Sequence, residues 1–119
     1  MKRQVRVTTT GRRTGQQRAV TLYAFDDGER LVIVGSRGGS AKDPVWAFNL
    51  RHDPHAMVKV GREERSVRAI EVEGLERDRL WELVCAEFPL YATFQRRTKR
   101  TIPLFVLSPP ETPDHARVR

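Results

Sequence analysis

Three arginines cluster around a turn near the start of the chain. Arg12, Arg13 and Arg18 lie within seven positions of one another, and Gly11 and Gly15 stand among them. Glycines let the backbone approach a ligand closely, and the N–H groups of such a turn can hold an anion. Guanidinium groups match the geometry of phosphate and carboxylate oxygens. The residues alone favour an anion site and an exposed basic hairpin without a ligand about equally.

A second glycine-bearing loop spans residues 36–44 and leads into a predicted helix. Gly38 and Gly39 leave this loop little side-chain bulk, and Asp43-Pro44 is typical of a helix start, with Asp as N-cap and Pro at the first helical position. Trp46 follows on the first turn, where its ring could flank a flat ligand. A tryptophan in such a place more often belongs to the core.

An aromatic cluster with a spacing of three residues occurs later in the chain. Phe88, Tyr91 and Phe94 would share one face of a helical segment, where packing is the simpler interpretation. Tyr91 carries a hydroxyl that could donate a proton. His52 and His55 lack a third ligand at a suitable spacing, so no metal site is expected. The single cysteine excludes an intrachain disulfide.

Hydrophobic periodicity predicts the elements that position these residues. Alternating patterns indicate strands at residues 5–10, 18–25, 30–35, 56–60, 65–72 and 102–107, with a bulge between Ala69 and Ile70. Helices are predicted at residues 45–51, 75–88 and 90–97. The sequence therefore predicts a mainly β (α+β) barrel of about six mostly antiparallel strands with two or three packed helices. Residues 1–119 are expected to form one domain, with residues 109–119 as a flexible tail.

Charge and hydropathy restrict the partners and the compartment. The 22 Lys and Arg residues exceed the 15 Asp and Glu residues, and the net charge of +7 predicts an anionic partner. Nucleic acid, an anionic membrane face and a phosphorylated ligand all satisfy this requirement. No apolar run is long enough to span a bilayer, and no secretory signal is recognised. A cytoplasmic protein without stable membrane insertion is expected.

Three blocks of sequence resemble the deazaflavin (F420)-dependent nitroreductase family. Residues 8–18, TTTGRRTGQQR, resemble its TTTGRKSGQPR segment. The blocks SRGG, KDPVW and NL, between residues 36 and 50, resemble its SKGG…KxPxWxxNL stretch. The blocks FPLY, FQ and TIP, between residues 88 and 103, resemble its YPxY…YQ…T…IP ending. The three blocks occur in the order found in the family.

The resemblance implies a split β-barrel that binds coenzyme F420, with FMN as the less favoured cofactor. It implies an oxidoreductase that transfers a hydride from the reduced deazaflavin to a small electron-poor acceptor, such as a quinone, an activated enone or a nitro compound. Related barrels often pair, so a homodimer is one option for assembly. Family members often carry an N-terminal amphipathic extension, whereas this sequence starts seven residues before Thr8, so a more open substrate pocket is expected.

The resemblance also implies roles for individual residues. Cofactor contacts are expected from the basic turn, the end of the third strand and the first helix, namely Arg12, Arg13, Thr14, Arg18, Val34, Gly35, Ser36, Arg37, Val45, Trp46, Ala47, Phe48 and Asn49. Substrate contacts are expected from Tyr23, Tyr91 and Phe94, with Tyr91 as the catalytic residue and either Tyr91 or water as the proton donor. Phe94 replaces a residue that is often Tyr in the family, which affects nitro-compound turnover more than cofactor binding.

Two other functions fit the same residues. The chain could be a non-catalytic barrel that binds FMN, haem or F420. It could also be a nucleic-acid binder that uses Arg12, Arg13, Arg96, Arg97 and Arg100. No nucleic-acid fold signature accompanies these arginines, so no nucleic-acid partner is expected.

Overall fold

The computed structural model describes residues 2–110. The six strands are β1 (Lys2–Thr10), β2 (Gln17–Asp27), β3 (Arg30–Val34), β4 (His55–Val60), β5 (Glu63–Glu71) and β6 (Leu104–Ser108). The three α-helices are α1 (Val45–His52), α2 (Gly74–Glu87) and α3 (Leu90–Arg96), and a single 3-10 turn spans Arg37–Gly39. The predicted number and order of the elements is confirmed.

The strands close into one antiparallel barrel in the order β1-β2-β3-β6-β5-β4. Strand β1 shows which side of the sheet faces the interior of the barrel. Val5, Val7 and Thr9 are buried, whereas the alternate residues Gln4 and Arg6 are exposed. The predicted bulge in β5 is wrong. Ala69 pairs with Leu107 and the next residue, Ile70, pairs with Val106, so the register continues without an extra residue. Ile70 breaks the apolar pattern because it faces outward and is half exposed.

Two apolar clusters fill the molecule. The first lies inside the barrel and includes Trp46 and Leu50 of α1, which plugs one end. The second lies outside the barrel, where Leu80 and Val84 of α2 and Tyr91 of α3 pack on β3 and β6. The helices α1 and α3 therefore approach the same end of β3 from opposite sides.

Strand β2 has an edge that its neighbour leaves unpaired. It pairs with β1 along its whole length, from Phe25 opposite Lys2 to Gln17 opposite Thr10. It pairs with β3 only over residues 24–27. Residues 17–23 therefore present a free edge to the segment that follows β3, and this split in the barrel wall leaves room for a cleft.

The start of α1 differs from the prediction. Pro44, in extended backbone, occupies the N-cap position, and no side chain caps the helix. Asp43 lies one residue earlier and forms ion pairs with Arg51 at 2.9 Å and Arg100 at 2.6 Å. Asp43 is not the N-cap because its carboxylate is held by these two guanidinium groups.

No helix within residues 2–110 has the length and apolar character needed to cross a membrane. The predicted flexible tail, residues 109–119, falls mostly on residues 111–119, which lie outside the described residues.

A charged cluster joins α2 to the β2–β3 hairpin. Asp27 accepts hydrogen bonds from Arg30 at 2.6 Å and from Arg79 of α2 at 3.0 Å. The hydrogen bond from Arg79, followed by that from Arg30, lowers the pKa of Asp27 from 3.8 to about 2. The cluster is partly screened, because the side chains of Arg30 and Arg79 are 37% and 50% exposed.

We expect Asp27→Asn to lower the free energy of unfolding by about 1 kcal/mol at pH 7. Because the pKa of Asp27 is lower in the folded state, its ion pairs stabilise the protein above about pH 4, and this contribution is lost as the pH falls towards 2. Urea denaturation of both proteins between pH 7 and pH 3 measures the difference. A difference that is the same at every pH would contradict this assignment.

Candidate functional site

The main cleft has a volume of about 610 Å³ and opens along the free edge of β2. One wall is formed by residues 18–23 of β2. The opposite wall is formed by Val34, Ser36 and Arg37 together with the start of α1. Aromatic side chains from the end of α2 and from α3 form the third wall. The lining is mainly apolar, which suits a flat organic ligand.

A smaller pocket of about 230 Å³ lies over the basic turn. Gly11, Arg12, Arg13 and Thr14 line it. Three further lining residues, Arg18, Val45 and Asn49, also line the main cleft. The two spaces therefore meet, and a ligand with an apolar ring and an anionic extension would fill both.

Backbone hydrogen bonds close the basic turn. The N–H of Gly11 donates to the carbonyl of Gln16 at 2.7 Å, and the N–H of Gly15 donates to the carbonyl of Gly11 at 2.8 Å. Gly15 has a φ of +74°, which an L side chain rarely adopts. Thr14 accepts a hydrogen bond from the N–H of Gln16 at 3.2 Å. Two backbone hydrogen bonds thus close the turn, and Arg12 and Arg13 line the pocket that lies over it.

Asn49 fixes this turn to α1. Its Oδ1 accepts a hydrogen bond from the Arg12 N–H at 3.1 Å, and its Nδ2 donates to Thr9 Oγ1 at 3.1 Å. Asn49 and Thr9 are 2% and 1% exposed, so the bond between them is shielded from water, and the bond to Arg12 is partly buried. The Arg12 guanidinium lies 4.7 Å from the ring centroid of Phe48. Asn49 and Phe48 together fix the position of the basic turn relative to α1.

The arginines at the two clefts differ from those that connect elements of the fold. Within residues 2–110, no carboxylate forms an ion pair with Arg12, Arg13, Arg18 or Arg37, whereas Arg51 binds Asp43 and Glu71. A group of cations without bound carboxylates creates a positive potential that attracts an anionic ligand.

The loop after β3 has an unusual backbone. Arg37, Gly38 and Gly39 have φ values of +45°, +63° and +83°, and Arg37 is the one non-glycine residue with positive φ among residues 2–110. A Cβ on Gly39 would lie 2.7 Å from the carbonyl oxygen of Phe94, so this glycine is required for contact between the loop and α3. A left-handed arginine is a costly conformation that often marks a functional site.

Tyr91 lies at the base of the aromatic wall and is 5% exposed. Its ring centroid is 4.7 Å from that of Phe88 and 6.4 Å from that of Phe94, and Tyr23 lies further out, 5.9 Å from Phe88. Burial raises the pKa of Tyr91 to about 12. Its hydroxyl forms no hydrogen bond with any residue that the structure describes. At neutral pH this hydroxyl is protonated, and Tyr91 lines the main cleft.

The structure brings most of the predicted site residues together. The main cleft is lined by Arg18, Tyr23, Val34, Ser36, Arg37, Val45, Trp46, Asn49, Tyr91 and Phe94, and the basic pocket by Arg12, Arg13 and Thr14. Gly35, Ala47 and Phe48 line neither space. Ala47 is fully buried, and Gly35 packs so closely on Pro103 that a Cβ would lie 2.8 Å from its ring.

Sequence reasoning missed the wall formed by β2. Ala19, Val20, Thr21 and Leu22 line the main cleft because β3 leaves their strand edge unpaired. Strand pairing between distant segments decides this, and the sequence carries no local signal for it. Phe88 also lines the cleft, and its spacing of three from Tyr91 was the signal for it.

Arg100 does not belong to an exposed basic patch, as the nucleic-acid hypothesis required. Its side chain is 14% exposed and forms an ion pair with Asp43 at 2.6 Å. The neighbouring Arg96 and Arg97 are exposed. The hypothesis is wrong on this point because Arg100 binds within the protein.

Other reactive groups do not form a second site in residues 2–110. These residues contain no group of three or more His, Cys, Asp or Glu side chains that could hold a metal ion. Cys85 is partly buried, and burial raises the pKa of its thiol.

Comparison with known proteins identifies similar chains. A family model described as F420H(2)-dependent quinone reductase matches residues 1–109. An F420H(2)-dependent quinone reductase of Mycobacterium tuberculosis (strain ATCC 25618 / H37Rv) is 37% identical over 103 residues, which cover 84% of this chain and 69% of the relative.

Solved structures agree with this similarity. An F420-H2 dependent reductase has a TM-score of 0.81 and 36% identity, covering 88% of this chain and 93% of its own. A chain described as a domain-swapped dimer has a TM-score of 0.82 and 36% identity, covering 88% of this chain and 79% of its own. The haem storage protein HutZ from Vibrio cholerae has a TM-score of 0.67 at 13% identity, covering 92% of this chain and 83% of its own, which shows a shared fold alone.

We expect Gly39→Ala to destabilise the protein by about 1–3 kcal/mol more than Gly38→Ala, because overpacking adds to the cost of the left-handed backbone. Both glycines have positive φ, but a Cβ on Gly38 would meet nothing within 4 Å. Urea denaturation of the two variants compares their free energies of unfolding. Equal losses would show that the loop does not need close contact with α3.

Proposed function

The chain belongs to the F420H2-dependent quinone reductase family and is an F420H2-dependent oxidoreductase, and we propose that its two connected clefts bind coenzyme F420 and a quinone. The observation that carries this assignment is the junction of an apolar cleft with a basic pocket through Arg18, Val45 and Asn49. Neither space alone would distinguish F420 from a simpler anion or an apolar ligand.

The residues present fit the two parts of the cofactor. Its phosphate and acidic tail would be held by Arg12, Arg13, Thr14 and Arg18, which line the basic pocket and its junction with the main cleft. Its ring would lie in the main cleft against the start of α1, which Trp46 anchors in the barrel core. Because these guanidinium groups bind no carboxylate in the described part of the chain, no ion pair has to break before they bind the acidic tail.

The reduced cofactor, when bound, supplies the hydride. The protein positions the acceptor and stabilises the charge that develops on it. The Tyr91 hydroxyl stays protonated because its pKa is about 12, so it can donate a hydrogen bond to the acceptor oxygen as negative charge develops there. Because Tyr91 is a weak acid in this environment, we propose that water in the cleft delivers the proton to the product.

A quinone is the acceptor class that the aromatic wall fits best. Phe88 and Phe94 offer apolar ring surfaces, and Tyr23, which is 42% exposed, stands near the opening. Aromatic side chains favour planar partners in stacked or edge-on contact. Phe94 adds ring surface without a hydroxyl, so recognition of the acceptor on this wall depends on shape and on Tyr91.

We also propose that the chain forms a homodimer, because one structural neighbour at 36% identity is described as a domain-swapped dimer. Light scattering on the eluting peak would show a mass of twice 13.7 kDa. A mass of 13.7 kDa would contradict it. The expected cytoplasmic location stays a prediction.

Replacement of Arg13 or Arg18 by Ala is expected to raise the Kd for F420 roughly 5- to 30-fold at low salt, because each variant removes a charge-assisted contact of about 1–2 kcal/mol. Fluorescence titration of oxidised F420 measures the Kd. Arg62→Ala is the matched control, because Arg62 is exposed in the β4–β5 turn and lines neither cleft. Unchanged affinity in the Arg13 and Arg18 variants would contradict the proposal that the basic pocket binds the acidic part of F420.

Replacement of Tyr91 by Phe is expected to lower kcat for quinone reduction by about 10- to 100-fold while the Kd for F420 stays the same, because a hydrogen bond to the developing charge is lost. The assay follows oxidation of reduced F420 by a panel of quinones. The wild-type rate is expected to show no loss from Tyr91 ionisation between pH 6 and pH 9, since that group deprotonates near pH 12. A Tyr91→Phe variant with the wild-type kcat would show that another group stabilises the acceptor.

A further inference from the structure

One guanidinium group holds the loop that follows β3. Arg100 Nε donates to the carbonyl of Ser40 at 2.8 Å, and Nη2 donates to the carbonyl of Ser36 at 2.8 Å. Nη1 donates to the carbonyl of Gly35 at 3.1 Å and to Asp43 Oδ1 at 2.6 Å. All four acceptors lie between residues 35 and 43, about sixty positions away in sequence.

The loop needs such a partner because its own conformation is irregular. Three consecutive residues, from Arg37 to Gly39, have positive φ, and the local backbone bonds run from the Gly39 N–H to the Ser36 carbonyl and from the Ser40 N–H to the Arg37 carbonyl. Buried carbonyl groups without a donor are costly, and Gly35 is buried. Arg100 supplies donors to the carbonyl on each side of the left-handed segment, at Ser36 and Ser40.

The charge of Arg100 is balanced within the protein. Asp43 is 15% exposed and also binds Arg51, which forms a bidentate pair with Glu71 at 2.7 Å and 2.8 Å. The row Arg100–Asp43–Arg51–Glu71 therefore ties the loop to α1 and to β5. A network of this kind holds its members in one arrangement, because a partner left alone would be a partly buried charge.

The backbone of Arg100 is fixed from the other side of the cleft. Gln95 of α3 donates through Nε2 to the Arg100 carbonyl at 2.7 Å, and its Oε1 accepts from the Ile102 N–H at 3.0 Å. Gln95 follows Phe94 directly and lies four positions, about one helical turn, after Tyr91. The wall that carries Tyr91 and the wall that carries Arg37 therefore meet at Arg100.

We propose that Arg100 is a positioning residue for this reaction, and that it sets the distance between the loop at residues 35–43 and the Tyr91–Phe94 wall of the cleft. This inference rests on the proposed function of the cleft. The basic turn is attached to α1 through Asn49, whereas the side chain of Arg100 bonds to residues 35–43. Loss of the Arg100 contacts should therefore affect the alignment of the two reactants more than the capture of the anionic tail.

Lysine cannot replace this side chain. The four acceptors surround the side chain in different directions, and planar guanidinium presents five N–H groups in a fixed fork. An ammonium group is a compact charge that would keep the pair with Asp43 and release most of the carbonyls. Arg100→Lys thus separates the geometry of the contacts from their charge.

The test compares Arg100→Lys with Lys99→Ala, an exposed neighbour that lines neither cleft. For Arg100→Lys, we expect kcat to fall at least tenfold while the Kd for F420 rises less than threefold. A third variant, Arg100→Gly, removes the side chain altogether. Guanidinium chloride at millimolar concentration should restore part of its activity, because free guanidinium can occupy the same contacts. Lys99→Ala should keep both constants.

Amide hydrogen exchange on the protein without ligand gives a readout that does not depend on turnover. The Arg100→Lys variant should lose protection at residues 35–43, whereas the amides of β1 and β6 keep theirs. A loss that is uniform over the barrel would mean general destabilisation and would overturn the proposal.

The proposal also fails if kcat of Arg100→Lys stays within twofold of the wild type, or if kcat and affinity fall by the same factor. Failure of the proposed function has a different signature, since the wild type itself would then not oxidise reduced F420 with any quinone.

Discussion

The hydrogen bonds of the buried Asn49 side-chain amide hold the arginines of the basic turn beside the apolar cleft. Asn49 accepts from the Arg12 backbone and donates to Thr9, and so joins the basic turn to the helix that forms the cleft wall. Without this attachment the turn would be a projecting hairpin whose arginines had no defined direction. An amide donates and accepts at once, which neither an aspartate nor a leucine of similar size can do. The two-part site depends on that property.

Two groups of arginines in the molecule have different surroundings. Arg30, Arg51, Arg79 and Arg100 bind carboxylates and connect elements of the fold. The arginines along the two clefts are left without such pairs in the part of the chain that is described. The guanidinium groups along the clefts are therefore available to an anionic ligand, whereas the paired ones connect elements of the fold.

Sequence periodicity was enough to predict the strands of the barrel. In β1, for example, Val5, Val7 and Thr9 alternate with polar residues, as a half-buried strand requires. The family resemblance predicted the cofactor and most of the residues that line the clefts. The errors arose where distant segments meet. Asp43 was assigned to a helix cap and Arg100 to a basic surface, although each is the partner of the other across 57 positions. The β2 wall was missed because its exposure depends on how far β3 extends.

The most direct test compares the affinity of the protein for F420 with its affinity for the deazaflavin fragment that lacks the phosphate and glutamates, over a range of salt concentrations. If ring and tail occupy the two joined clefts, F420 should bind much more tightly at low salt, and added salt should reduce that advantage while the fragment's weak binding hardly changes. Equal affinities that do not respond to salt would contradict the claim that the basic turn and the apolar cleft form one site.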